Sequence, residues 1–553
     1  MVERDRWSGR SAFLLAAIGS AVGLGNVWRF PFVAHENGGG AFLIPFFIAM
    51  LTAGIPLLVL ELALGRIMQR GAPGSLAAIG RRWEWVGWWA IFVASAIVVY
   101  YAAIMGWCWA YLVHSVTLAW GQDTSSFFYQ KFLSLSPEPG TLGAVRWPVL
   151  LGLIATWISI YLCISKGVKS VGKVVLITVP LPWLCLLALV ARGVTLPGAA
   201  DGLRYFLTPD FAALGKPSVW LAAYGQVFFS YSIGFGIMIA YSSYLPRRSD
   251  VTNDAFMIGF ADSLTSFLAG LAVFSALGFL AHTTGVQCQE VARGGPGLAF
   301  VTYPCIISNL PFWAPFFGCL FFLMLLTLGI DSAFSLVEAA ETAVEDKWGV
   351  SRRKLNVMMC IGGLLIGVIF ATQGGLYVLD TADEFLNNFG LPVVGLLECL
   401  AVGLVYKAAK MRREVNEISE VRLGRWWDVF VSAVTPLILV VLVALTLAKR
   451  ISEPYEGYPM TLLLLAGWCV LLLTIELALL LAGRRRAAVA VAVAAVLLYG
   501  LSQLPPWVAM LILGLVVLFG GMGFSLLRMG SKPRHEAGGG APGHGSLGAG
   551  EQG

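Results

Sequence analysis

Asp262 and Asp331 lie deep inside long apolar stretches, and Asn26 and Arg29 lie inside another. A charge held at mid-membrane costs at least ~2.5–3.5 kcal/mol even on insertion scales, so each aspartate calls for a cation or a proton. Arg29 is the only Lys or Arg well inside a candidate span to neutralise them. The stretch that holds Asn26 and Arg29 reads Gly19-Ser-Ala-Val-Gly-Leu-Gly-Asn-Val-Trp-Arg-Phe-Pro31. Each glycine in a helix interior costs about 1 kcal/mol, so this run suits a continuous helix poorly. In hydrocarbon an unpaired backbone group costs several kcal/mol, and a broken helix survives only where it lines a cavity or binds something. Freed amides at a half-helix N-terminus attract an anion such as a carboxylate. Freed carbonyls at the preceding half-helix C-terminus suit a hard cation, which wants oxygen ligands. The chemistry on offer is ion and zwitterion binding rather than bond making.

The elements that position these residues are membrane helices. Of 553 residues, 58% are hydrophobic and 12% charged, with a mean hydropathy of +0.80. A soluble domain carries about 25% charged residues, so the chain reads as an all-α polytopic membrane protein. Apolar runs of about 20 residues place spans at 11–35, 41–65, 84–117, 147–164, 170–191, 218–244, 254–281, 312–343, 355–371, 375–405, 427–448 and 459–483. Two more stretches, 487–501 and 505–527, read as an extra hairpin. The layout is a twelve-span core over 1–483, a transmembrane hairpin over 484–530 and a disordered cytoplasmic tail over 531–553. With the N-terminus in the cytoplasm, roughly 28 of the 37 Lys and Arg fall on the cytoplasmic side, as the positive-inside rule requires. The net charge of +6 is thus a topology signal, and nucleic acid is excluded as a partner. No cleavable signal peptide is evident. The chain holds no Asn-x-Ser/Thr sequon, and its outer loop 118–146 is short; both favour a bacterial inner membrane. The nine cysteines lie mostly in apolar spans, and Cys288 and Cys305 flank an outer loop where a disulfide is conceivable.

A second broken span echoes the first. Ala21-Val-Gly-Leu-Gly25 and Ser232-Ile-Gly-Phe-Gly236 share one pattern of small, β-branched, Gly, large apolar, Gly. Each lies in the first span of a five-span half, at about 11–191 and about 218–405. Matching Gly-broken segments in two halves are the best sequence pointer to a transporter's site, and an odd number of spans per half makes the repeat inverted. Helix-packing glycines of the small-xxx-small kind are the plainer reading. The i, i+2 spacing does not keep both glycines on one face.

At this point the chain resembles the neurotransmitter:sodium symporter family over roughly residues 4–480. The resemblance rests on Gly19 to Pro31, Glu36-Asn-Gly-Gly-Gly-Ala-Phe42, Gly54-Ile-Pro56, Tyr100-Tyr101, Gly225 to Gly236, Gly295-Pro-Gly-Leu-Ala-Phe300 and Leu328-Gly-Ile-Asp-Ser332. It implies two sodium sites. The first takes the Ala21 carbonyl, Asn26, Ser230, Asp262 and the substrate carboxylate. The second takes the carbonyls of Gly19, Val22 and Leu328, with Asp331 and Ser332. Tyr101 and the amides near Leu24 and Gly25 would hold a substrate carboxylate beside Ser20, Ala21, Gly23 and Ser230. Ile97, Phe229, Ser232, Phe235, Ser332 and Leu336 would surround its side chain. Arg29 with Asp383 would close the outside, and Arg4 with Asp346, near Trp7 and Tyr244, the inside. Glu61 and Glu398 read as structural pairs near span ends or helix contacts.

Departures from the family pattern sharpen the expectation. Chloride-dependent members carry asparagine at the Asp262 position and tyrosine at the Phe46 position, and share Gln226 and Ser266. The fixed charge of Asp262 replaces what chloride would supply, so transport should be chloride-independent. Monoamine-transporting members place an aspartate at the Gly23 position. Its lack here means that the substrate brings its own carboxylate, and the apolar pocket favours a neutral hydrophobic L-amino acid, carried inward by sodium symport with alternating access. The implied partners are that amino acid, sodium and the lipid bilayer, with a homodimer allowed. A channel or a non-transporting amino-acid sensor is the alternative, though a channel does not need two charge-pair gates. An enzyme is disfavoured. Phe-Ala-Asp262-Ser and Leu-Gly-Ile-Asp331-Ser lack the Tyr-Asp and Gly-x-Gly-Asp contexts of aspartyl proteolysis, and His35, His114 and His282 lie near span ends.

Overall fold

A computed structural model describes residues 6–165, 167–284 and 295–502 of the chain. Arg4, Cys288, the second stretch of the expected hairpin (505–527) and the tail lie outside the described residues. Cys305 is a free thiol among the described residues, and its expected pairing with Cys288 lies outside them. The chain divides into two compact units at Val496 and Leu497. Of the second unit, only the end of helix Arg485–Ser502 is described.

Among the described residues, ten helices are long and apolar enough to cross a membrane, from Gly40–Met68 to Met460–Leu481. An eleventh span is a bent pair, Arg10–Ala21 and Gly25–Glu36, meeting at 47°. The expected sixth span is two short helices, Pro217–Ser230 and Ile237–Ser242, separated by a non-helical turn. No strand is present among these residues, only two isolated bridges, Gly39 with Pro209 and Val145 with Thr372. The chain is thus an all-α polytopic membrane protein.

Proline shapes many of these helices. Gly25–Arg29, Met50–Gly54, Leu298–Thr302, Leu386–Gly390 and Phe430–Val434 are π-helical. Two residues beyond each of them stands a proline: Pro31, Pro56, Pro304, Pro392 and Pro436. Proline lacks the N–H that would close a normal turn, and its ring displaces the carbonyl four residues back. The backbone widens by one residue there and bends without a full break.

The second half of the broken sixth span packs backbone to backbone on Gly40–Met68. A Cβ built on Gly65 would lie 2.1 Å from the Ile239 carbonyl oxygen and 2.2 Å from Ser242 Oγ. Glycine is needed there for room, because no side chain permits that approach. We predict that Gly65→Ala lowers the thermal unfolding temperature of the detergent-solubilised protein, by overpacking worth about 1–3 kcal/mol. Gly362 has nothing within 4 Å of its notional Cβ, so Gly362→Ala leaves that temperature unchanged or slightly higher.

Candidate functional site

The first break follows from helix-end accounting. Helix Arg10–Ala21 ends where Val22 turns extended (φ −75°, ψ 102°), and its last carbonyls lose their intrahelical donors. The Ser20 carbonyl accepts from Ser232 Oγ at 2.9 Å and from Ser332 Oγ at 3.4 Å. The Gly23 amide donates to Asn26 Oδ1 at 2.8 Å, and the Leu24 amide to the Tyr101 hydroxyl at 3.4 Å. In the sixth span, Ser232, Gly234 and Gly236 all have positive φ (54°, 81° and 72°). Gly25 opens the half-helix after the first break, and Gly236 caps the half-helix after the second. The Gly234 amide donates to Glu61 Oε1 at 2.7 Å. Glu61 is fully buried beside fully buried Glu398. Sequence reasoning placed Glu61 and Glu398 in structural pairings, and the two carboxyls do lie against each other; the Glu61 carboxylate also satisfies the backbone of the break. An acid in an otherwise apolar span was the only signal of it.

Residues expected at the first sodium site converge around Asp262, which is 0% exposed. Ser230 Oγ lies 2.9 Å from both Asp262 carboxylate oxygens. Asn26 Nδ2 donates to Asp262 Oδ1 at 2.8 Å, Ser230 Oγ at 3.0 Å and Ser266 Oγ at 2.8 Å. Ser266 thus joins a cluster to which the sequence reading had not assigned it. To present its oxygen to a cation here, the Asn26 amide has to turn over, exchanging Oδ1 with Nδ2. For the second site, a Cβ on Gly19 would lie 2.9 Å from Asp331 Oδ2, so only glycine lets the first span approach that carboxylate. Asp331 is 1% exposed, and its Oδ1 has no hydrogen-bond partner. Ser332 Oγ donates to the Leu328 carbonyl at 3.3 Å, and Val22 is buried at the same break. An orphaned buried carboxylate oxygen close to the end of the first half-helix is a ligand that fits a hard cation.

A cavity of about 700 Å³ opens from this region toward the end opposite the N-terminus. Ser20, Ala21, Gly23, Leu24, Gly25, Ile97, Tyr101, Phe229, Ser230, Ser232, Phe235, Ser332 and Leu336 all line it. Higher up it is bordered by Arg29, Asp383, Asp380 and Tyr458. Arg29 and Asp383, expected to close the outside, both border this cavity and form no ion pair in this arrangement. The Arg29 guanidinium lies 4.2 Å from the centroid of the Phe229 ring. Asp383 Oδ1 instead accepts from the Tyr100 hydroxyl and from Asn387 Nδ2, both at 2.7 Å. The Tyr455 and Tyr458 hydroxyls both donate to Asp380 at 2.9 Å. Burial and the Asp380 carboxylate hold the Tyr458 hydroxyl above its ordinary range.

The N-terminal end is closed. Trp7 Nε1 donates to the Tyr241 carbonyl at 2.9 Å and stacks edge-on against Tyr241 and Tyr244. Arg10 pairs with buried Asp254 at 2.8 Å. Asp346 accepts from the Gly71 amide at 2.7 Å. Arg352, missed from the sequence, binds Glu338 at 2.6 Å, Glu345 at 2.9 Å and the Tyr244 hydroxyl. The bond to Gly234 generates a prediction. Glu61→Gln keeps an acceptor for that amide and stays near the parent's unfolding temperature. Glu61→Leu leaves the amide unpaired, about 1–3 kcal/mol, and melts lower in the same detergent.

Comparison with known proteins bears on this geometry. The sodium:neurotransmitter symporter family model matches residues 4–126 and 120–485. An uncharacterised sodium-dependent transporter of Methanocaldococcus jannaschii is 41% identical over 461 residues, 83% of this chain and 94% of its own. The sodium- and chloride-dependent GABA transporter 2 of Rattus norvegicus is 37% identical over 455 residues, 75% of each chain. The sodium- and chloride-dependent taurine transporter of Bos taurus is 35% identical over 514 residues, 85% of this chain and 83% of its own. With its broken spans, buried aspartates and lined cavity, the chain belongs to the sodium:neurotransmitter symporter family, a family of sodium-dependent membrane transporters and not of enzymes.

Proposed function

We propose that this protein carries a neutral, hydrophobic L-amino acid inward by symport with sodium, without chloride, through alternating access. The observation that carries the reading is the convergence of Asn26, Ser230, Asp262 and Ser266 at one break, with Gly19 against Asp331 beside it. The first cluster provides one sodium site and the second group another, both rich in oxygen and each with one carboxylate. The amides of Leu24 and Gly25 and the Tyr101 hydroxyl receive the substrate carboxylate. Ile97, Phe229, Phe235 and Leu336 pack its side chain, and Ser232 and Ser332 are the polar groups of the pocket. Arg29 over Phe229 and the acids around Asp383 form the outer closure; Trp7, Tyr244 and the charges near Asp346 form the inner one. A cavity lined at one end and a packed, bonded network at the other support an arrangement open to the outside. Sodium drives transport by favouring one of the two arrangements over the other. The membrane is a bacterial inner membrane with the N-terminus inside.

Two features of the pocket bear on the substrate and on chloride. A Cβ at Gly23 would lie 2.8 Å from Ser332 Oγ and 3.5 Å from the Tyr101 hydroxyl, so the place of an amine-pairing aspartate is already filled. The relatives named for GABA and taurine handle molecules with an anionic head and an amine, which suits the same carboxylate-binding break. Where those relatives are named chloride-dependent, Asp262 here already accepts from Ser230 and Asn26. A fixed carboxylate takes the donors that an anion would need.

The test of function is uptake by proteoliposomes of labelled aliphatic, aromatic and ω-amino acids under an imposed sodium gradient. Concentrative uptake of an apolar α-amino acid that collapses with a sodium ionophore is expected. Downhill flux indifferent to sodium would point to a channel instead. For chloride, uptake in gluconate medium retains most of its rate, and Asp262→Asn gains a several-fold chloride dependence; loss of most transport in gluconate by the parent protein would sink chloride independence. Gly23→Asp crowds Ser332 and reduces amino-acid binding at least tenfold, read by equilibrium binding in sodium.

A further inference from the structure

Helix Ala314–Trp348 carries Glu338, Glu341 and Glu345 near its C-terminal end, on the same side of the molecule as the chain's N-terminus. Two of these three carboxylates bind one guanidinium. Arg352 binds Glu338 Oε1 and Glu345 Oε2, and lies 5.4 Å from the centroid of the Tyr244 ring. Glu341 is left over. It is 1% exposed, and neither of its carboxylate oxygens has a hydrogen-bond partner. Oε2 of fully buried Glu338, one helical turn away, also lacks a donor.

The groups that face Glu341 can be named. They are Glu338 and Glu345 on its own helix, and Arg352 and the buried Cys360 thiol on the next span. From the sixth span, Tyr244 reaches Glu338 at 3.2 Å and shares a hydrogen bond with Thr342 at 2.6 Å. The remaining charges at this end turn elsewhere: Asp346 accepts from the Gly71 amide, and Lys347 binds Glu84. An ionised Glu341 would be a buried acceptor with no donor, repelling Glu338 across one turn. A proton removes the charge that faces Glu338 and turns one unpaired acceptor oxygen into a neutral O–H. A metal cation suits the place less well, since it would sit against the guanidinium of Arg352 and find few free oxygens.

We propose that Glu341 is a proton-binding site of the inner closure, protonated while Glu338, Arg352 and Tyr244 are held together. When that closure separates and water enters, the O–H bond of Glu341 breaks. One proton passes to water on the N-terminal side, leaving a carboxylate that competes with Glu338 for Arg352. Reclosing takes one proton back from the same side, and no redox partner is needed. Acid on that side therefore stabilises the closed arrangement, and alkali favours its opening.

The first test does not depend on transport. Infrared difference spectra of the purified full-length protein at neutral pH, parent minus Glu341→Gln, should show the loss of one protonated-carboxyl C=O band. Loss of ionised-carboxylate bands instead, or no change in the protonated band, overturns the proposal. Thermal unfolding is the companion measurement, with Glu341→Leu as second variant. As pH rises from acidic to neutral, the parent loses several degrees more of melting temperature than either variant. If both variants melt far below the parent at neutral pH, Glu341 is an ionised partner of Arg352 and the proposal fails. The transport readout rests on the symport reading given above. With the N-terminus facing the lumen, parental uptake rises several-fold from a mildly acidic to a mildly alkaline lumen, and Glu341→Gln flattens that profile. Absence of all amino-acid uptake would sink the symport reading while leaving the spectral and melting results to decide this one.

Discussion

Every backbone N–H and C=O inside the hydrocarbon has to find a partner, and most of this protein's centre follows from that demand. Two spans are broken at glycine, and each break is repaired by groups from elsewhere in the chain. The Ser20 carbonyl of the first break receives the Ser232 hydroxyl of the second. The Gly234 amide is taken by Glu61 from the second span, and the Gly23 amide by Asn26 from its own turn. The two breaks are thus held against each other rather than separately. The carboxylates of Asp262 and Asp331 take no part in this repair: the first is held by Ser230 and Asn26 side chains, and one oxygen of the second has no hydrogen-bond partner.

The two ends of the molecule use their charges differently. Toward the end opposite the N-terminus, charged and phenolic groups stand around a cavity without bridging it. Arg29 rests on Phe229, Asp383 is taken by Tyr100 and Asn387, and Asp380 by two tyrosines. Toward the N-terminus, tryptophan, tyrosine and arginine groups interlock across three or more elements. The lower end is tied by several charge-assisted hydrogen bonds, and such bonds in a dry interior are strong.

Six buried acids illustrate how burial assigns different work to one residue type. Asp262 sits among hydroxyl and amide donors, Asp331 keeps an oxygen free beside Gly19, and Glu61 serves a backbone amide next to Glu398. Glu338 is tied to Arg352, and Glu341 has nothing. Their neighbours in space separate these roles. Their neighbours in sequence, all apolar or small, do not.

The class, the spans, both breaks and the two aspartates were legible in the chain itself. Membrane insertion imposes a length and a polarity on each helix, and a glycine pair at i, i+2 weakens a helix by about 2 kcal/mol wherever the helix lies. The cavity-lining set was legible only through the motifs shared with a family. Other features required three dimensions. Glu61 reaches Gly234 across 173 residues, and Arg352 meets Tyr244 across 108. Ser266 meets Asn26 across 240. Arg29 was expected on a carboxylate and lies instead on an aromatic ring, because guanidinium partners are chosen by the groups that packing leaves within a few ångströms. Local sequence determines where a helix must stop and which charges the membrane will not tolerate alone. Only tertiary packing decides which distant group answers each one, because hydrogen bonds and ion pairs act over lengths far shorter than the chain that separates their partners.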